Sequence, residues 1–424
     1  MSNQSFNRFA EKLEPWIVVV LLLYFFGADT PPLINGAMKV GSYPITLLLI
    51  IWRWKRFAYF ATRDLPLLLL VGMAMASVFW SAAPDVTSIE TKAILRATLL
   101  GVYLATRFSI KEQMQLLAWV LGIGAVLSFL VALAIPSYAI HSTGDPGMIG
   151  AWRGIFGIKN LLASIMILAS WLFLLRALNS PRKRWLFWSL FGLAAVLLFL
   201  SKGKTAYSVF LISLCLLPLH KFVKQQYKLR VFLLLTALLV GGTAIVLILS
   251  NLEFIVVDTL GKNLEFNGRL PIWILIFDKI LERPWFGYGM SGFWTSDEAL
   301  YVLYNSWAND ARETGVRFNA HNGYIDLCLS LGFLGFSLYT LHFLTVFIRT
   351  VNLWISTKTI EILWILQTLV VLFFLNFADT LSLLGTGSMW IIYVSMAIST
   401  AVQQSRIRKD SHLRKVISGA EGYV

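Results

Sequence analysis

The sequence predicts an all-α polytopic membrane protein, and three observations indicate it. Hydrophobic residues make up 58% of the 424 residues, and charged residues only 14%. Apolar runs of membrane-spanning length recur along the chain, and basic residues concentrate in every second loop. A soluble domain carries about 25% charged and about 45–50% apolar residues. The composition therefore excludes an ordinary soluble enzyme, a disordered chain and a disulfide scaffold.

The apolar runs define the predicted spans. A helix needs about 20 residues to cross a hydrocarbon core about 30 Å thick, so the chain has room for about twelve spans and one sizeable loop. The runs lie near residues 15–28, 33–52, 65–80, 92–107, 114–135, 160–178, 185–200, 205–219, 231–250, 322–348, 360–377 and 384–402. We interpret the first as an uncleaved span, because no convincing small-x-small cleavage site follows it.

The loops alternate in charge, which predicts their orientation. One set is basic, and it includes the segments 53–63, 176–184, 221–230 and the tail from residue 404. The positive-inside rule places this set, and with it both termini, in the cytoplasm. The net charge of +14 is then explained by a basic face against the lipid bilayer, and we expect no nucleic-acid partner.

These features divide the chain into four parts. Residues 1–250 hold spans one to nine with short loops, and 251–320 form a large outer loop with short helices between spans nine and ten. Residues 321–403 hold spans ten to twelve, and 404–424 form a basic cytoplasmic tail. The aromatic residues of the large loop are typical either of an interfacial belt or of a surface that stacks sugar rings. Within it, residues 271–282 predict a short helix with Pro271 at its first position.

Cations are disfavoured on the outer face, so those that occur there are candidate functional residues. Each group precedes or begins a predicted helix, where a cation opposes the helix dipole. If these helix ends converge, their N–H groups and cations form an anion site; the alternative is that the side chains extend to lipid headgroups. The cations are Arg153 and Lys159 in 152–160, Lys202 and Lys204 in 201–206, and Arg269 in 267–273.

His321 is the candidate general base. It precedes Asn322 and Gly323 at the start of span ten. A helix N-terminus disfavours the imidazolium ion, so this histidine is expected to stay neutral and able to accept a proton near pH 7. The alternative is a histidine that only satisfies or caps the loop.

Several chemistries lack a signature in the sequence. We find no metal-ligand cluster and no nucleotide-binding motif, so we expect no metal and no cofactor. An anionic diphosphate would then have to be neutralised by arginine and lysine. Acidic residues are scarce in the spans apart from Asp326 and Asp379 at their mouths, which argues against a proton- or sodium-coupled transporter.

Six stretches together resemble the O-antigen ligase/polymerase superfamily (Wzy/WaaL-like), and most of all its ExoQ-like exopolysaccharide polymerase branch. They occur in the family order and cover about residues 80–332. The stretches are WSAAP (80–84), WRGIFGIKN (152–160), SKGKTA (201–206), NGRLPIW (267–273), ERPWFGYGMSGFW (282–294) and HNGYIDLCLSLG (321–332).

The resemblance implies a GT-C-like, metal-independent membrane glycosyltransferase that uses a polyprenyl-diphosphate-linked glycan on the outer face of the bacterial inner membrane. Arg153, Lys204 and Arg269 would match the residues that bind the donor diphosphate, and His321 the histidine that activates the acceptor glycan. Ligases of the family commonly have arginine at the position of Lys204, so this departure favours a polymerase. Candidate supporting residues in the same stretches are Lys159, Asn160, Lys202 and Asn322.

The expected function is therefore inverting polymerisation of lipid-linked oligosaccharide repeat units into exopolysaccharide or O-antigen. Two alternatives stay open: a ligase that moves glycan onto a lipid core or protein, and a transporter or flippase of a lipid-linked glycan or small anion. A transporter is expected to show polar residues at mid-depth or repeated halves, and neither is clear here. Chain-length control would come from a separate regulator protein, although no residue indicates one.

Overall fold

In the computed structural model the chain forms a bundle of α-helices. The structure describes residues 3–142, 148–214, 217, 269–309, 318–377, 379 and 383–421. The α-helices in these ranges are α1 Asn3–Phe25, α2 Pro32–Trp52, α3 Trp54–Ala61, α4 Leu65–Ala76, α5 Pro84–Arg107, α6 Ile110–Ala134, α7 Pro136–Ala139, α8 Lys159–Asn179, α9 Arg184–Leu200, α10 Lys204–Leu214, α11 Arg269–Glu282, α12 Leu300–Tyr304, α13 Gly323–Thr357, α14 Ile360–Leu375 and α15 Ser388–Glu421.

The predicted all-α membrane architecture is confirmed. Within the described residues the structure has no β-strand, only two isolated bridges. By length and composition, five described helices could cross a membrane, or six if a bent pair forms one span: Pro32–Trp52, Ile110–Ala134, Lys159–Asn179, Pro181–Leu200 and Gly323–Thr357, with Trp54–Ala61 plus Leu65–Trp80 as the pair. The predicted span 231–250, the end of 205–219 and the loop residues 251–268 lie outside the described residues. The number of about twelve spans therefore stays a prediction.

Two local predictions need correction. The segment 53–64, interpreted above as a loop, contains α3, which is bent by 93° from the following helical segment Leu65–Trp80. Its mixture of aromatic and basic side chains is typical of a helix that lies along a membrane surface. The helix predicted at 271–282 exists, but it already includes Arg269. Pro271 is tolerated there because the first turn of a helix has unpaired N–H groups.

The loops fall into two groups at opposite ends of the bundle. The His321 end carries segments 26–31, 135–142 with 148–158, 201–203 and 283–309 with 318–322. These segments contact one another: the Asp29 N–H donates to the Ile155 carbonyl at 2.7 Å, and the Trp152 N–H to Leu200 at 3.0 Å. The Asp64 end carries segments 53–64, 108–109, 180–183 and 358–359.

Helix α13 is broken near the His321 end. Gly332 has φ 64° and ψ −169°, and a Cβ there would lie 2.3 Å from the carbonyl carbon of Trp285. The break frees backbone groups that segment 284–288 satisfies: Phe333 N–H donates to Pro284 at 2.7 Å, and Tyr288 N–H donates to Leu329 at 2.8 Å. Glycine is required here because only it accepts both the positive φ and the close approach.

The same segment is held on its other side by WSAAP (80–84). Trp80 Nε1 donates to the Phe286 carbonyl at 2.9 Å, and the Ala82 N–H donates to Tyr288 at 2.9 Å. Two of the six stretches singled out in the sequence, 80–84 and 282–294, thus contact each other. Together they stabilise the break in α13. Their role in this fold is structural, and it fixes the start of α13 that follows His321.

Candidate active site at the His321 end

His321 lies in a backbone segment that neighbouring groups hold rigidly. Its N–H donates to Asn319 Oδ1 at 2.8 Å, and its φ is 49°. The preceding residue, Ala320, donates its N–H to Asp326 at 3.0 Å and accepts from Trp273 Nε1 at 2.8 Å. These contacts set the direction in which the imidazole leaves the main chain.

Asn322 caps α13 directly after His321. Its Oδ1 accepts from the N–H groups of Tyr324 at 3.0 Å and Ile325 at 3.3 Å, which satisfies two of the helix's free donors. Asn322, one of the candidate supporting residues, therefore uses its side chain to cap the N-terminus of α13. It positions the turn that carries His321.

The imidazole of His321 is packed among aromatic rings. It stacks on Trp307 at 6.0 Å between ring centroids and 28° between planes. Phe318 meets it edge-on at 5.6 Å. Rings on both sides restrict the orientation of the imidazole and partly remove it from water.

His321 also lies in the electrostatic field of Arg269 and Asp379; we call these three residues the central cluster. Burial and the Arg269 charge lower the pKa of His321, and Asp379 partly opposes them. Burial likewise lowers the pKa of Arg269, with Asp379 acting in the opposite direction. The neutral imidazole predicted from the sequence is thus supported by a different cause, burial, in addition to helix position.

The first turn of α8 contacts the central cluster. Asn160 Nδ2 donates to Asp379 Oδ2 at 3.1 Å, and Lys159 is the preceding residue. Burial, together with the charges of Arg153 and Lys159, lowers the pKa of His141. Both predicted cations therefore act on His141, and Asn160, in the first turn of α8, contacts Asp379.

Arg153 is fixed by backbone carbonyls. Its Nε donates to Tyr138 at 2.7 Å, and its guanidinium lies 5.4 Å from the centre of the Tyr138 ring. A weaker contact of 3.4 Å joins it to the Gly157 carbonyl. None of these partners is charged, so the interactions hold the guanidinium in place without neutralising it.

The two lysines of the 201–206 turn are placed differently. Lys202 has φ 52°, and its Nζ donates to the Ile149 carbonyl at 3.1 Å, which ties the turn to the loop before α8. Lys204 is the first residue of α10 and its side chain is exposed. In the part of the chain that the structure describes, no contact joins Lys204 to the central cluster.

A cavity of about 400 Å³ lies next to the central cluster. Phe318 and Asn319, which contact His321, are also part of its wall. Its lining comes from α1, α5, α8, α13 and the segment before α15, and the ionisable side chains in that lining are Glu90 and Asp326. This size is within the usual range of small-molecule sites, about 300–1,000 Å³.

Sequence reasoning missed two acidic residues of this region. Asp379 was noted only as a rare acid near a span, and Glu90 was not singled out. The signal was present for both: a carboxylate in or beside an apolar helix is rare and usually functional. Among the described residues, no group of three or more His, Cys, Asp or Glu side chains could hold a metal ion.

The fold and site therefore define a polytopic helical membrane protein with a half-buried histidine beside an arginine and an aspartate. Residues 189–340 match the family model Wzy_C, described as O-antigen ligase. This match over part of the chain supports the resemblance to the O-antigen ligase/polymerase superfamily that the motifs indicated, and with it a membrane glycan ligase- or polymerase-type function. The matched region includes Lys202, Lys204, Arg269 and His321. No curated protein matches the chain.

Proposed function

We propose that this protein polymerises polyprenyl-diphosphate-linked oligosaccharide repeat units, as an inverting and metal-independent glycosyltransferase. The observation that carries the proposal is the central cluster: a half-buried histidine with a lowered pKa lies beside Arg269 and Asp379. His321 and Arg269 lie inside the matched family region, and Asp379 lies outside it. A base that is neutral near pH 7 and a nearby cation suit attack by a hydroxyl on a glycosyl diphosphate.

The reaction is a single displacement. His321 accepts the proton of the acceptor hydroxyl as its oxygen attacks the anomeric carbon of the donor. The bond between that carbon and the diphosphate oxygen breaks, and the lipid diphosphate leaves with the electron pair. Attack from the opposite face inverts the anomeric configuration.

Arg269 and the loop cations stabilise the leaving group. Charge grows on the diphosphate as the glycosidic bond breaks, and fixed cations in a partly dry site stabilise it without reorganisation. Arg269 lies in the central cluster, and Lys159 precedes Asn160, which contacts Asp379. We assign Arg153 to the same donor-binding role, as the motif resemblance implies. Lys204 is exposed, which favours a role at the mouth of the site, toward the headgroup of the lipid donor.

We assign the His321 end to the periplasmic side of the bacterial inner membrane. The basic segments of the Asp64 end support this orientation, since cytoplasmic loops are enriched in lysine and arginine. Both termini are then cytoplasmic. A chain-length regulator as partner stays a prediction.

A ligase is the second candidate, because the matching family model carries that description. The lysine at position 204 favours the polymerase and the ExoQ-like branch. Both enzymes use the same donor and differ in the acceptor, so the products distinguish them.

The test is a host strain that lacks the gene, complemented with wild type or Arg269→Ala. Lipid-linked glycans and surface polysaccharide are sized on gels. We expect single repeat units to accumulate on the carrier, and only wild type to restore polymer, because loss of one electrostatic contact costs about 10²–10³ in rate.

Other outcomes of the same gels have defined meanings. Long polymer retained on the carrier would indicate the ligase. Normal polymer in the deletion strain would overturn the glycosyltransferase assignment for that glycan and favour a transporter. Restoration by Arg269→Ala to within a few-fold of wild type would refute the role of Arg269.

A further inference from the structure

A second cavity lies at the Asp64 end of the bundle, between α1, α6 and the end of α5. Its volume of about 260 Å³ is below the usual range of small-molecule sites, about 300–1,000 Å³. Its wall includes Trp16 and Trp119, which are 54% and 48% exposed, so the cavity opens outward. A cavity of this size at the surface of the bundle suits one part of a larger ligand.

The two long helices line this cavity with the same order of polarity. On α1 the lining residues Lys12, Trp16 and Val19 follow one another at spacings of four and three, so they share one helix face. On α6 the lining begins with Glu112 and reaches Trp119 two turns later. The cavity is therefore ionisable at the Asp64 end and apolar toward the middle of the bundle, and the side chains of a bilayer lipid change polarity in the same order.

Cations outnumber carboxylates at the ionisable end of this cavity. Arg107 lines the cavity and donates from Nε to Glu14 Oε2 at 2.6 Å. The same oxygen accepts from Arg53 Nη2 at 2.9 Å, so one buried carboxylate serves two guanidinium groups. Lys12 adds a third cation in the cavity wall. The side chain of Arg107 remains 22% exposed, which leaves it accessible to an anion.

Further cations strengthen this positive field. Burial lowers the pKa of Arg56 in α3, and so do the charges of three neighbouring cations. These cations are Arg406, Arg53 and Arg107. Glu112 opposes them, but its carboxylate already caps the start of α6. The ionisable end of the cavity therefore attracts an anion.

We propose that this cavity binds one anionic phospholipid, with its phosphate at Lys12 and Arg107 and its glycerol region against the Trp16–Trp119 pair. The two rings contact each other at 5.8 Å between centroids, and tryptophan is typical of the headgroup level of a bilayer. Basic pockets between spans bind anionic headgroups. A soluble phosphate would leave the apolar half of the cavity unused. The site is separate from the His321 end and does not depend on glycosyl transfer.

The first experiment measures lipid binding to the full-length protein in a non-ionic detergent. Phosphatidylglycerol and phosphatidylcholine with the same acyl chains are titrated separately, and native mass spectrometry resolves the first bound lipid. We expect phosphatidylglycerol to have a Kd at least about tenfold lower, because each of two basic side chains near an anionic lipid contributes about fivefold. Equal affinities for the two lipids would overturn the proposal.

Lys12→Gln should weaken the binding of phosphatidylglycerol about fivefold and leave that of phosphatidylcholine unchanged. Lys111→Gln is the matched control, since it makes the same chemical change at an exposed position of α6 outside the cavity lining. It should bind both lipids as wild type does. Equal losses in the two variants would show a general attraction to the basic face and would overturn the specific site.

A second experiment locates the bound lipid. The protein is placed in phosphatidylcholine nanodiscs that contain a minor share of phosphatidylglycerol with brominated acyl chains, since bromine quenches tryptophan fluorescence on contact. Brominated phosphatidylglycerol should quench more than brominated phosphatidylcholine at the same share. This excess should shrink when Trp16 and Trp119 are both replaced by Phe. Trp185→Phe is the control, because Trp185 is 85% exposed at the same end of the bundle and does not line the cavity.

Two further outcomes have defined meanings. The same excess quenching in all three proteins would place the phospholipid elsewhere and overturn the site. Displacement of phosphatidylglycerol by soluble glycerol phosphate at equal concentration would show that the site needs no lipid, and this would overturn the choice of ligand. Transfer activity enters neither experiment, so failure of this proposal leaves the proposed function intact.

Discussion

The two ends of the bundle differ in how they hold several of their buried or half-buried ionisable side chains. At the Asp64 end, charges are buried in direct pairs: Arg349 Nη1 lies 3.0 Å from Asp64 Oδ2, and Arg53 Nη2 lies 2.9 Å from Glu14 Oε2. At the His321 end, Arg153 is held by carbonyl oxygens, and His321 is held by aromatic rings. Paired charges hold helices together. A cation whose partners are neutral is not neutralised by them, so it can still attract an anionic ligand.

His342, at the Asp64 end, and His321 show the same difference. His342 is fully buried, with Asp64 Oδ1 3.3 Å from its Nε2 and the Tyr393 hydroxyl 2.9 Å from its Nδ1. A carboxylate and a hydroxyl of the protein thus lie beside the two ring nitrogens. His321 has ring-stacking partners and a nearby cation instead, which suits a base that must exchange protons with a substrate.

The largest effect is expected from removing the general base. His321→Ala should lower the transfer rate by about 10²–10⁴, the usual contribution of a positioned base, without lowering the melting temperature. Transfer is measured with purified protein in nanodiscs, and binding of undecaprenyl diphosphate is measured in parallel and should survive. His342→Ala is the matched comparison and should lower thermal stability. Full activity of His321→Ala would refute the assignment.

The next effect concerns the buried pairs. Asp64→Asn should destabilise the protein by about 3–5 kcal/mol, because it leaves Arg349 buried without its carboxylate. Asp379→Asn should change stability much less and activity more. Denaturant or thermal unfolding in detergent, combined with the transfer assay, separates the two. Equal losses of stability in both variants would remove the distinction between the two ends.

The smallest effect is a displaced pH profile. The neutral form of His321 accepts the proton, and its pKa lies below the ordinary value. The transfer rate should therefore be at its maximum at pH 7. It should fall only below about pH 6.5, the unperturbed pKa of histidine. Arg269→Gln removes a cation that lowers this pKa, so its acid limb should move to higher pH.

Arg269→Lys is the control for that profile. It keeps the charge, so its acid limb should stay near that of wild type even if its maximal rate falls. Each profile is compared with its own plateau. An identical limb in Arg269→Gln and wild type would show that Arg269 does not act on the titration of His321.

Much of the candidate site could be predicted from the sequence because cations and histidine are rare on the predicted outer face. Arg269, Lys159 and His321 were found in this way, and each is at or near a helix start in the structure. Asp379 and Glu90 were not assigned, because a single acid at a span mouth has no partner that can be read from its neighbours. Asn160 meets Asp379 across 219 positions of sequence, which no local pattern indicates.

The sequence by itself determined the membrane class, the position of most described helices and the resemblance to the superfamily, because hydrophobicity and motif order are properties of the chain. Tertiary structure decided which charges meet. It showed that WSAAP and the 284–288 segment stabilise the break at Gly332, that Lys204 is exposed, and that Phe318 and Asn319, which contact His321, also line a cavity. Such facts depend on long-range packing, since the field at a side chain is set by groups that the fold brings close from distant parts of the sequence.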